Sequence, residues 1–94
     1  MKFEFDAAKS AANKAKHKID FIEAQKLWLD VDALGGPARS DQEPRKMLIG
    51  KIGNKLWTAI FTERSDRIRL ISVRAARIRE EMLYEQTEND CRES

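Results

Sequence analysis

A chain of 94 residues with 41% hydrophobic content is one domain with one core, near the lower end of sizes that fold without staples. The single cysteine, Cys91, excludes an intramolecular disulfide and points to a reducing, cytoplasmic setting. No apolar run reaches the roughly 20 residues that cross a bilayer, and MKFEFDAAKS lacks the apolar core of a signal peptide. The formal net charge of +2 hides an uneven distribution, since between Lys46 and Arg79 nine cations stand against two anions. A positive central segment flanked by acidic ones fits an anionic partner.

Phe3-Glu4-Phe5 reads either as a very short strand or as two anchors into the core. Asp6 is a good N-cap, and Ala7 to His17, rich in alanine and lysine, is expected to be a helix. Its small-residue stripe, Ala8, Ala11, Ala12 and Ala15, would lie against whatever the helix covers, with Lys14, Lys16 and His17 in the last turn. Asp20 caps a second helix over Phe21 to Leu29, with Glu23 completing a capping-box-like pair and Phe21, Ala24, Leu27 and Trp28 on one face. Residues 30–45, with Gly35-Gly36-Pro37 and Pro44 as breakers, read as a long loop, functional or mobile.

Lys46 to Ile52 alternates as a strand, and Gly53-Asn54-Lys55 turns into a second strand, Leu56 to Thr62. Glu63 to Arg67 supplies a charged turn into a third, Ile68 to Val73. On a period of two, Arg67, Arg69, Ile71 and Val73 face one way while Ile68, Leu70, Ser72 and Arg74 face the other. These arginines either snorkel and pair with Glu63, Asp66, Glu80 and Glu81, or present donor forks to phosphate oxygens. From about Ala75 a helix follows, with Ile78, Met82 and Leu83 or Tyr84 inward, ending near Thr87 before a frayed tail at 88–94. The fold class is α+β, with helices covering a small antiparallel meander, and residues 1–94 form a single domain.

No His/Cys/Asp/Glu set has metal-ligand spacing, no glycine-rich phosphate loop precedes a helix, and one histidine with one tail cysteine makes no nucleophilic triad. Neither metal nor cofactor is expected. Cleaving RNA without a metal needs a base for the 2′-hydroxyl, cations for the phosphorane and an acid for the leaving oxygen. His17, Glu63, the arginines and Tyr84 are an inventory sufficient for that. A lone histidine at a helix C-terminus is as readily a dipole-matched cap.

FEFDAAKSAANKAKHKIDFIEAQ resembles the opening of the BrnT toxins, with their Phe-x-Trp/Phe-Asp-x-x-Lys start, Lys-His pair and Phe-x-Glu-Ala. FTERSDRIRLISVRAARIREEMLYE resembles the same family's Thr-Glu-Arg-Gly-Asp-x-Ile-Arg-Ile-Ile-Ser-Ala-Arg block and its charged helix ending near Tyr-Glu. The resemblance covers about residues 3 to 85. It implies a RelE-like fold and a metal-independent ribonuclease toxin of a type II toxin–antitoxin system. A BrnA-like, DNA-binding antitoxin would neutralise it, and the complex could bind its operator through that antitoxin. Carried over by position, Arg64, Arg69 and Arg74 would hold the scissile phosphate, His17 or Glu63 would act as base, and His17 or Tyr84 as acid. Lys16, Lys51, Arg67, Ser72 and Arg77 would add substrate contacts. The chain departs from the family pattern at Lys18 and Ser65, where glycine is usual, and at Ala75, where a basic residue is frequent. Two rivals use the same basic sheet: a non-catalytic RNA-binding module and a module that docks an acidic protein.

Overall fold

A computed structural model describes residues 2–38 and 44–93, from 87 onward through the backbone alone. The α+β class is as expected, but the sheet is larger than the three-stranded meander and is mixed. Its strands are β1 (Lys2–Glu4), β2 (Leu34–Ala38), β3 (Arg45–Ile52), β4 (Lys55–Arg64) and β5 (Arg67–Ala75), in the spatial order β1-β5-β4-β3-β2. β1 pairs parallel with β5, Phe3 opposite Ile68, so Phe3-Glu4 belongs to a short strand. β2 falls inside the segment expected as loop and runs antiparallel to β3, Gly36 opposite Met47. Glycine and proline disfavour an interior strand; this one is at the sheet edge, where Pro37 needs no ladder donor. Residues 39–43 of that loop and the thiol of Cys91 lie outside what is described.

α1 (Ala7–His17) starts where expected, the Asp6 carboxylate accepting from the N–H of Ala8 and Lys9 at 2.8 and 3.2 Å. Its docking face is not the alanine stripe, which is exposed; the buried residues are Ser10 and Asn13. The reason is a sheet edge left open where β1 stops. The Asn13 amide donates to the carbonyls of Val73 (2.9 Å) and Ile19 (2.7 Å) while its oxygen accepts from the Val73 N–H (3.1 Å). One side chain thus replaces a strand neighbour at Val73, satisfying groups that would be costly to bury unpaired. Ser10 Oγ accepts from the Phe21 N–H at 3.0 Å and fixes the next helix.

α2 (Phe21–Ala24) is capped by Asp20 and tightens into a 3-10 turn over Gln25–Leu29. Glu23 pairs with Lys14 Nζ rather than closing a capping box. Phe21, Ala24 and Leu27 pack with Ile19 on Trp57, Ala59, Phe61, Ile68, Leu70 and Val73 from β4 and β5. An edge-to-face run, Phe3–Trp28–Phe61, with both centroid separations 5.1 Å, ties β1 and the 3-10 turn to the central strand. Gly50 permits this approach, because a Cβ there would stand 3.0 Å from Leu27 Cδ2.

α3 (Ile78–Glu93) covers part of the other sheet face, where Ile49, Thr58, Glu80 and Tyr84 are buried. It runs past Thr87 through the expected tail, with no glycine or proline to stop it. Its inward residues are Glu80 and Tyr84, one turn apart, while Ile78, Met82 and Leu83 are exposed. Polar partners decide that orientation, Thr58 and Arg74 on the sheet for Glu80 and Asp30 after the 3-10 turn for Tyr84.

The non-glycine residues described at positive φ are Lys18 (69°) and Ser65 (51°), the two positions where the family pattern has glycine. Lys18→Gly and Ser65→Gly are each expected to raise unfolding free energy by about 1 kcal/mol, read from urea midpoints at unchanged slope. Asn13→Ala, which strands three buried backbone partners, is expected to cost about 3 kcal/mol in the same assay.

Candidate active site

A β-bulge decides which side chains share the face beneath α3. The β4–β5 ladder pairs Thr62 with Arg69 and Phe61 with Leu70, then shifts so that Ile60 meets Ser72 and Thr58 meets Arg74. Ile71 is the extra residue. Strict alternation separates Arg67 and Arg69 from Ser72 and Arg74; the bulge unites them, since Thr58, Ile60 and Thr62 alternate on one face of β4 and carry their β5 partners with them. Ile68, Leu70 and Val73 are all left to the core.

On this face a cleft of about 580 Å³ opens between α3 and the sheet, lined by Arg45, Met47, Ile60, Ser72, Arg74, Arg77, Arg79, Glu80 and Leu83 among others. At its wall Arg74 Nη1 and Nη2 donate to Glu80 Oε1 and Oε2 at 2.7 and 2.9 Å, a bidentate pair. Glu80 Oε1 also accepts from the Thr58 hydroxyl (2.9 Å) and from the Arg77 N–H (2.8 Å) at the start of α3. The Arg74 guanidinium holds the Glu80 carboxyl down to about 2; burial opposes this, and the Arg77 N–H and Thr58 hydroxyl reinforce it. Glu80 in turn pushes Arg74 further up. The pair is neutral overall. Arg45, Arg77 and Arg79 have no carboxylate partner among the described residues, so the cleft keeps an excess of positive charge.

The residues expected at the site do not all meet here. Arg74, Ser72 and Arg77 line the cleft. Arg67 and Arg69 share its face farther along β5 and approach Glu4 at 4.0 Å each, Arg67 also reaching Asp66 at 3.7 Å. Arg64, opposite Arg67, is exposed and engaged within the chain. Glu63 projects with the core-side residues, its carboxylate 3.1 Å from Lys46 Nζ. Tyr84 lines a second cavity with Lys51, and its hydroxyl donates to Asp30 Oδ2 at 2.8 Å. Burial works against the Asp30 charge, but the N–H groups of Asp32 and Lys51 and the Tyr84 hydroxyl outweigh it and hold its carboxyl below the usual range. Lys16 and His17 end α1 and line neither cavity, Lys16 exposed and His17 half-buried.

Sequence reasoning missed Arg45 and undervalued Arg79 and Glu80. Arg45 reads as the last residue of a loop until the β2–β3 pairing shows it inside a strand. The spacing of Arg74 and Glu80 by six residues across a strand end and a helix start has no periodic signature.

Glu80 has its proton affinity lowered by folding, so its contribution is present above the ordinary carboxylate range and is lost as pH falls. On the order of 3 kcal/mol of stability is expected to disappear between about pH 5 and pH 2 in the wild type. Glu80→Gln should be less stable at pH 7 and show a shallower acid limb in equilibrium unfolding. Identical acid limbs would remove Glu80 from the account.

A sequence model of one protein family, described as "Ribonuclease toxin, BrnT, of type II toxin-antitoxin system", matches residues 5–80, a span that holds Arg45, Ser72, Arg74, Arg77, Arg79 and Glu80 and stops before Tyr84. No curated protein matches the chain. With most of its length, and most of the cleft, inside the match, the chain belongs to the BrnT family, the ribonuclease toxins of type II toxin–antitoxin systems.

Proposed function

We propose that the protein is a metal-independent endoribonuclease of RelE-like type that grips the scissile phosphate of RNA in the α3 cleft. Its action stops translation and growth until a BrnA-like antitoxin, itself able to bind operator DNA, neutralises it. The observation that carries this reading is the charge balance of the cleft: three guanidinium groups without carboxylate partners among the described residues, beside a neutral Arg74–Glu80 pair. Unbalanced, fork-shaped donors on a sheet and a helix start suit phosphate oxygens.

In this mechanism the RNA 2′-oxygen attacks the adjacent phosphorus, the bond from phosphorus to the 5′-oxygen breaks, and the products are a 2′,3′-cyclic phosphate and a 5′-hydroxyl. One proton leaves the 2′-hydroxyl and one reaches the departing oxygen. Arg77 and Arg79 stabilise the extra charge of the phosphorane, and Arg74, held by Glu80, keeps a fixed guanidinium at the wall. Glu80, ionised down to about pH 2, is too weak a base for the 2′-hydroxyl. Solvent carries the protons and charge stabilisation does most of the work. The roles proposed for His17 and Glu63 as base, and for His17 and Tyr84 as acid, require substrate to bring RNA toward groups that do not line the cleft.

A second reading, a module that binds RNA without cutting it, draws on the fact that the described residues of the cleft offer no group suited to proton transfer at neutral pH. Incubating a defined RNA in excess EDTA separates the two. Cleavage to 2′,3′-cyclic phosphate ends supports the nuclease; retention of intact RNA in a salt-sensitive complex supports the binding module. Arg77→Ala and Arg79→Ala are each expected to lower cleavage by about 10- to 100-fold. Their melting temperatures should match wild type, since both side chains are exposed and neither has a carboxylate partner among the described residues.

A further inference from the structure

Farther along the same face, two buried polar atoms have no hydrogen-bond partner among the described residues: Arg45 Nε and Thr62 Oγ1. They are neighbours. The β3–β4 register, Lys46 opposite Phe61, sets Arg45 beside Thr62, and the β4–β5 register sets Thr62 beside Arg69. Arg45, Thr62 and Arg69 therefore form one row across three strands, with Thr62 only 3% exposed. Unmet donors and acceptors are rare at such burial and cost stability that the free protein does not recover. Arg69 is committed only loosely, 4.0 Å from Glu4 across a partly exposed contact.

We infer that this row is a second phosphate-binding subsite, in which Arg45, Thr62 and Arg69 hold a backbone phosphate of the RNA other than the scissile one. It rests on the nuclease reading and extends it. The row lies four residues along β4 from Thr58, the partner of Arg74, or about 13 Å at the usual strand rise. A single strand crossing the face from α3 toward the β4–β5 turn meets both places. Arg45 lines the cleft and also belongs to the row, so it joins the two. A phosphate that turns Arg45 and Arg69 toward itself gives the Nε its acceptor and brings an oxygen to the Thr62 hydroxyl, which donates.

The test uses Thr62→Val, an isosteric change that removes a hydroxyl with no partner among the described residues, and Arg45→Gln, in the full chain. The probe is a labelled 2′-O-methyl octanucleotide, which lacks the attacking hydroxyl and survives the assay, and binding is read by fluorescence anisotropy over a salt series. Thr62→Val should melt at or above the wild-type temperature yet bind about five-fold more weakly, the size of one hydrogen bond. Arg45→Gln should bind about ten-fold more weakly and flatten the slope of log affinity against log salt by about 0.7, one phosphate contact on a single strand. Wild-type binding that Thr62→Val leaves within two-fold would overturn the subsite while leaving the cleft reading intact. No salt-dependent binding by wild type would overturn both.

Discussion

The structure depends on one partly buried ion pair. Arg74 at the end of β5 and Glu80 in the first turns of α3 meet bidentately, and the carboxylate also accepts from Thr58 on β4 and from the Arg77 amide. Four hydrogen bonds from three segments thus converge on one carboxylate. Without them Tyr84 would be the one buried residue left on the described part of α3, because Ile78 and Met82 are exposed. Removing Arg74 leaves the Glu80 charge buried without its cation, which is costlier than the net worth of the pair. Loss of activity in an Arg74 variant therefore reports on folding as much as on chemistry, whereas Arg77 and Arg79 carry no such burden.

The same pair shapes the electrostatics of the cleft. Neutralised by Glu80, Arg74 adds geometry rather than net charge, and the field falls to arginines on β3 and at the start of α3. This explains why Ala75, where the family often has a basic residue, is tolerable in principle: cations arrive from other elements. The charged rim of the sheet around Glu4, Asp66 and Arg67 is weakly paired at separations of 3.7 to 4.0 Å and worth little to stability. Such side chains reorganise cheaply when an anion arrives.

Two local irregularities place the cleft face. The bulge at Ile71 reverses the alternation midway along β5, so that one strand serves the core with Leu70 and Val73 and the cleft with Ser72 and Arg74. At the open edge beside Val73, Asn13 supplies through its amide what a sixth strand would have supplied through its backbone. α1 is consequently held by polar bonds to one strand, and its alanines remain in solvent.

What the sequence by itself determined is local: the caps at Asp6 and Asp20, the helical run after each, the β-type composition of three strands, the excess of cations between Lys46 and Arg79, and the two ordered blocks that carry the family. Each follows from neighbours within a few residues, and there propensity and capping act directly. Only the tertiary structure decided the rest. β2 is a strand because β3 offers it an edge, α3 turns Glu80 inward because Arg74 and Thr58 wait across the sheet, and Arg45 joins the cleft because register carries it there. Those choices are made by hydrogen bonds and ion pairs between residues far apart in sequence. No periodicity within a segment records where its partners will be.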